Sequence, residues 1–562
     1  MNRDQVFTTL KEQLQTIYGS EFSEQYLDRF NQLFNKWEKK DWASPSPLTE
    51  ENVYLITYGD SIYEEGKPTL PTLQTFLNKH VGNHITDVHL LPMFPYTSDD
   101  GFSVSDYRRI HPTLGDWEDI QYFSKDYRLM FDFVANHISK SSDWFQGYLN
   151  GDPQYQHYFI PKTDNYDTSQ FVRPRTSPLF HEYEAIDGTK TALTTFSEDQ
   201  VDVNFHHFPV LVEMTDILLY YAHQGGTSIR LDAIGFIWKK SGSTSMHLPE
   251  AHAIVQLWHT VLNYFKPNTQ IITETNVPHE ENISYLGDGT NEANMVYQFT
   301  LPPLVLYTLT TQQSDKLTSW AKTIDKVSES ATFFNFLASH DGIGMRPTEG
   351  ILTNDEKQLL VDKVQQNGGQ VSFKNNPDGT QSVYELNINY SEALPNDDEQ
   401  DTETKVQKML ASHAILLSFI GVPAIYYHSL LGSYNHHEGV HASGMNRRIN
   451  REKFQLEQIE KELVEDKKRH DIFTNLKSMI AVRQQEKAFS PYAEQEVLEL
   501  GPNLFGLKRQ NEETGDTVYF MVNVTNQHVA SPQHVTGTDL MTGKGIEDYV
   551  TLSPYAFIWI KA

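Results

Sequence analysis

The strongest constraint on this fold is an alternation that begins at Val53. Short β-rich runs, "VYLITYG", "DVHLLPM", "RLMFDFV", "TSIRLDA", "TQIITE", "MVYQF", "TFFNFLA" and "PAIYY", are separated by helical stretches. Apolar runs of this length suit strands buried on both faces, and the chain between them is long enough for crossover helices, so the pattern predicts an α/β fold of the (β/α)8 barrel type. Between the fourth and fifth runs, Ile254, Leu257, Trp258, Val261 and Phe265 recur on one helical face that stops before Pro267. Three runs end in or just before a carboxylate: Asp232, Glu274 and Asp341. Acids at the C-terminal ends of barrel strands stand where such barrels do chemistry. Cleaving a sugar acetal needs one carboxylate as nucleophile and a second as proton donor, which leaves the third to orient the sugar.

The flanking chain divides into further units. Phe7, Leu10, Leu14 and Tyr18, then Phe22, Tyr26, Phe30 and Phe34, recur every three or four residues, predicting a helical hairpin over residues 1–47. The barrel is expected over 48–490. Two stretches are too long for simple strand-to-helix loops, at about 138–200 and 343–404, and are read as insertions over the barrel mouth. Beyond them, runs such as "NLFGLKR", "TVYFMVNV" and "YAFIWIKA", split by turn residues, predict an antiparallel β domain over 491–562.

Composition removes several classes of function. A net charge of −29 argues against nucleic acid or an acidic membrane as partner. Zero cysteines exclude disulfides, thiolate catalysis and Cys-ligated metals. The start, "MNRDQVFTTLKEQLQ", lacks the apolar core of a signal peptide, and the longest apolar run, "AILLSFIGVPAIYY", is too short to span a bilayer and contains Pro423, so a cytoplasmic protein is expected. "NNPDGTQS" lacks the acidic alternation of a calcium loop and reads as a turn. "LGDGTNE" is too short a glycine pattern for a nucleotide site.

The ordered blocks "LITYGDS", "LLPMFPYTSDDGFSVSDY", "FDFVANH", "IRLDAIGF", "ITETNVPHEEN", "ASHDGIG" and "NRRINR" resemble the α-amylase superfamily, glycoside hydrolase family 13, and within it the sucrose phosphorylase group. "NVPHEENISYLGDG", "MVYQFTLPPLVL" and "NNPDGT" look most like the glucosylglycerate phosphorylases of that group. The resemblance implies Asp232 as nucleophile, Glu274 as general acid and base, and Asp341 as the acid that grips the sugar hydroxyls. It implies His137 and His340 as hydrogen-bond partners of the glucosyl unit, Asp99 with Arg451 as the pair closing the far end of its pocket, and Phe102 as part of the wall. Arg230, two residues before Asp232 and so on the same side of its strand, is expected to keep that acid ionised. Glu274 must hold its proton, which burial near other acids favours. His206 and His436 lack such context and are read as loop residues.

A phosphorylase must also favour phosphate over water at its covalent intermediate, which calls for cations in the acceptor subsite. The resemblance points to Arg175 and Tyr384 for phosphate and acceptor. It also implies a departure: sucrose phosphorylases carry Leu-Asp-Leu before this tyrosine, with the Asp helping to bind fructose, and this chain has Gln381, Ser382 and Val383. The expectation is a retaining α-glucosyl phosphorylase acting on 2-O-α-glucosylglycerate, with phosphate as co-substrate and no metal or organic cofactor. Phosphorolysis of sucrose or another α-glucoside, hydrolysis or transglucosylation, and non-catalytic sugar binding are the alternatives.

Overall fold

A computed structural model describes residues 1–562. Each of the eight predicted runs contributes a strand: β1 (Tyr54–Thr57), β2 (Asp87–Leu90), β3 (Arg128–Phe133), β4 (Gly226–Leu231), β5 (Gln270–Thr273), β6 (Met295–Tyr297), β7 (Thr332–Asn335) and β8 (Val422–Tyr426). They run parallel in sequence order and close where β1 pairs β8, with Leu55 opposite Ile425. The strands are buried almost throughout, which is why they read as nearly continuous apolar runs. The expected crossover helix forms over Pro249–Phe265 with its predicted face buried. Trp258 is wholly buried on it and donates to the Thr215 hydroxyl at 3.0 Å. Truncating such a core indole to Ala costs about 3–5 kcal/mol.

The N-terminal segment is a helical hairpin, α1 (Arg3–Tyr18) and α2 (Glu24–Glu38). A reciprocal capping box between Asn2 and Gln5 starts α1. Lys36 and Trp37 of α2 both donate to the Asp216 carboxylate, at 2.7 and 2.9 Å, and fasten the hairpin to the body. At the other end of the chain, a six-stranded sheet begins at Glu494 and ends with Phe557–Lys561. Its Trp559 donates to Ser418 at 2.7 Å, anchoring it on the helix Thr402–Ser418.

Both long connections rise over the mouth. The first leaves and returns through a short antiparallel ladder in which His137 pairs with Asp202, and carries the hairpin Phe180–Ala185 and Gly188–Leu193. The second holds the helix Asn354–Gln366 and a three-stranded sheet in which Gln381–Asn387 pairs with Ile343–Gly344 and Gln370–Asn375. "NNPDGT" is the tip of that hairpin: Asp378 accepts from both the amide and the hydroxyl of Thr380. No helix is long and apolar enough to cross a membrane.

Candidate active site

The C-terminal ends of the barrel strands and the two insertions enclose a cavity of about 530 Å³, within the range of small-molecule sites. Asp232, Glu274 and Asp341 all line it. Asp232 directly follows β4 and Glu274 directly follows β5, whereas β7 ends at Asn335 and Asp341 stands on the loop beyond it. The chain turns left-handed at Ala233 (φ 50), whose amide donates to Glu274 Oε2 at 2.9 Å. Glu274 is thereby tied to the residue next to Asp232.

Arg230 is the electrostatic centre of the floor. Its guanidinium lies between the rings of Phe102 and Tyr297, at 5.7 and 5.6 Å, and pairs with both Asp232, at 2.9 Å, and Asp132. Sequence reading missed Asp132, an acid inside β3 held also by His89 at 2.7 Å. Its signal was an acid at the centre of the apolar run "RLMFDFV", where only a paired charge is tolerated. Because Arg230 is shared, it does not by itself secure the Asp232 anion as expected. Burial raises the Asp232 carboxyl well above the ordinary range, against the pull of Arg230, and the Glu274 charge adds to the rise. Burial raises Glu274 as well. Two acids so close titrate as a pair holding one proton. Of the two, Asp232 is the one in direct contact with the Arg230 guanidinium.

Burial also opposes ionisation of Asp341, but Arg447, at 2.9 Å, followed by the fields of His340 and Arg451, holds its carboxyl far below the ordinary range. Arg447 went unread in "NRRINR", although it bridges Asp341 to Glu385 of the second insertion, at 2.7 Å. Glu385 in turn accepts from the amide of Gly342, where an added Cβ would stand 2.1 Å from that carboxylate.

His137, His340, Phe102 and Asp99 line the same cavity, whereas Arg230 and Arg451 stand behind its surface. Burial lowers the His137 ring to about 4 and the His340 ring to about 3, so both are neutral near pH 7. Nε2 of His137 donates to the Phe102 carbonyl at 2.9 Å. His340 stacks on the Phe102 ring at 4.9 Å, and its buried Nδ1 has no partner. The expected closing pair is present, and Arg451 has a second, nearer acid. Arg451 stands 4.0 Å from Asp99 but 2.9 Å from Asp100, which Arg448 also holds at 2.7 Å. Consecutive left-handed residues, Asp99 (φ 53), Asp100 (φ 47) and Gly101 (φ 111), turn the two acids apart and leave Asp99 on the cavity side. Gly101 cannot be replaced here, since a Cβ would meet Pro92 at 2.9 Å. Asp100→Asn should therefore lower kcat/KM about tenfold for every α-glucoside alike, through a loosened turn, about 1.4 kcal/mol. Steady-state kinetics on two donors checks it; a loss confined to one donor would contradict the geometry.

Arg175 and Tyr384 come together at the outer end of the cavity, the guanidinium 5.5 Å from the Tyr384 ring and 5.2 Å from Phe196. His206 and His436 lie outside the lining.

A barrel with three carboxylates beneath two insertions is the architecture of a glycoside-cleaving enzyme. Residues 79–365 match the α-amylase catalytic domain, about half of the chain, and the protein belongs to that family. It is similar to the glucosylglycerate phosphorylase of Spirochaeta thermophila, with 41% identity over 98% of each chain. The sucrose phosphorylase of Streptococcus mutans is 28% identical over 82% of this chain and 92% of its own. A crystal structure of sucrose 6F-phosphate phosphorylase from Thermoanaerobacter thermosaccharolyticum matches with TM-score 0.75 and 24% identity, covering 91% of this chain and 100% of that one.

Proposed function

We propose that this protein is a retaining α-glucosyl phosphorylase that converts 2-O-α-glucosylglycerate and phosphate to α-glucose 1-phosphate and glycerate. The carrying observation is 41% identity along essentially the whole chain with a glucosylglycerate phosphorylase, against 28% with a sucrose phosphorylase. Asp232 attacks the anomeric carbon while Glu274 gives its proton to the departing glycerate oxygen, leaving glucose esterified to Asp232. Phosphate then attacks from the face that glycerate vacated, with Glu274 taking back a proton, and two inversions return the α configuration. Asp341, His137, His340 and Asp99 are the groups that would hold the glucosyl hydroxyls. His137 gives up its bond to the Phe102 carbonyl if Nε2 is to donate to the sugar. Arg175, with Tyr384 under its guanidinium, supplies charge for phosphate. The scheme uses no organic cofactor, and its charged sugar product is retained in the cytoplasm, where we place the enzyme.

Purified protein incubated with glucosylglycerate is expected to release α-glucose 1-phosphate only when phosphate is present. Free glucose as the main product, independent of phosphate, would make the enzyme a hydrolase. A faster reaction with sucrose would overturn the acceptor.

A further inference from the structure

The cavity holds carboxylates at its floor and cations at its outer end, and those cations are not equivalent. Arg173 is exposed and spends a donor on the Ser177 carbonyl at 2.6 Å. Arg175 lies against two aromatic rings and donates to the Pro174 carbonyl at 3.2 Å. Arg346 and Lys374 are different. Both line the cavity, neither side chain makes a hydrogen bond within the protein, and the single acid in ion-pair range of either is Glu349, 4.0 Å from Lys374. They arrive from separate elements, Arg346 from the turn Arg346–Thr348 and Lys374 from the hairpin strand Gln370–Asn375. Met345 donates to the Tyr384 carbonyl at 3.0 Å, which fixes the Arg346 turn beside that hairpin. Lys374 stands directly opposite Ser382, and like Tyr384 it lines the cavity.

Bringing two cations together with only Glu349, 4.0 Å from Lys374, as counter-charge costs free energy in the empty protein. Burial, then the Arg346 charge, pulls the Lys374 ammonium below its ordinary value. An anion with two oxygens relieves that repulsion and satisfies the unused donors. In a chain of net charge −29 such a spot is a local exception to the field of the whole molecule.

We infer that Arg346 and Lys374 form a two-cation clamp for the carboxylate of the acceptor, which selects acid-bearing aglycones over neutral ones. This inference rests on the phosphorylase reading above. It also gives Ser382 a purpose: a carboxylate at this position would face Lys374, neutralise it, and return the site to neutral acceptors.

The test compares glucosylglycerate with glucosylglycerol, which carries a neutral hydroxymethyl group in place of the carboxylate, in wild type and in Arg346→Gln, Lys374→Met and Ser382→Asp. Each variant should lose about 100-fold in kcat/KM for glucosylglycerate while the glucosylglycerol value stays within about threefold. Equal losses on both donors, or no loss on either, would overturn the clamp. With α-glucosyl fluoride as donor, KM for phosphate should move less than about threefold; a shift as large as that for glucosylglycerate would make the pair the phosphate site and overturn the assignment. Ligand-observed NMR of glycerate on the resting protein separates the two readings. Binding that weakens in all three variants sustains the clamp even if wild type fails to phosphorolyse glucosylglycerate, a failure that would sink the functional reading alone. Glycerate binding indifferent to the substitutions would sink the clamp.

Discussion

Asp232→Asn is expected to lower turnover by about 10⁵-fold or more, about 7 kcal/mol of barrier, and to leave the fold intact. The amide cannot form the glucosyl ester, so neither phosphate nor water has an intermediate to attack. Stability should not fall, for reasons visible at the floor of the site. Arg230 retains Asp132, so no buried cation is orphaned. The change also removes a buried carboxylate whose free energy Glu274, Asp132 and Asp341 all raise. The thermal midpoint should therefore equal or exceed that of wild type while glucose 1-phosphate production disappears. A folded Asn variant with more than about 1% of wild-type kcat would take Asp232 out of the mechanism.

Glu274→Gln should lose about 10³- to 10⁴-fold on glucosylglycerate, because an alkoxide is a poor leaving group without a proton. α-Glucosyl fluoride departs without full protonation, and phosphate needs little help from a base, so activity with that pair should return to within about tenfold of wild type. The pH dependence separates this role from a structural one. A carboxyl whose pKa is raised stays protonated as pH climbs, so wild-type activity on glucosylglycerate should persist into the range where an ordinary carboxylate is ionised. It should then fall as pH passes the raised value. In Glu274→Gln with the fluoride donor, that alkaline limb should vanish. Equal losses on both donors, with the limb unchanged, would assign Glu274 to structure instead.

The barrel was legible because its strands are short, apolar and buried on both faces, and periodicity reports burial directly. The acids at the ends of β4 and β5 were legible for the same reason, as polar breaks at predictable places. Other groups depend on three-dimensional pairing and left weaker traces. Asp100 differs from Asp99 only through a left-handed turn that no pattern announces, so the second, nearer partner of Arg451 went unread. Arg447 and Glu385 are far apart in sequence and meet only when the second insertion folds over the mouth. Arg346 and Lys374 carry no sequence signal, and they meet at the cavity only through the folding of the second insertion.

The bridge from Asp341 through Arg447 to Glu385 joins the floor of the cavity to its lid. Asp341 belongs to the barrel, and Glu385 shares a strand with Tyr384 and Ser382. An aglycone that shifts this strand must tug on the guanidinium, and through it on an acid that lines the cavity floor. Transplanting the hairpin from a relative with different taste would then do more than change the leaving group. The graft would arrive with its own setting for how firmly glucose is gripped, and Arg447 is the screw by which that setting would have to be adjusted.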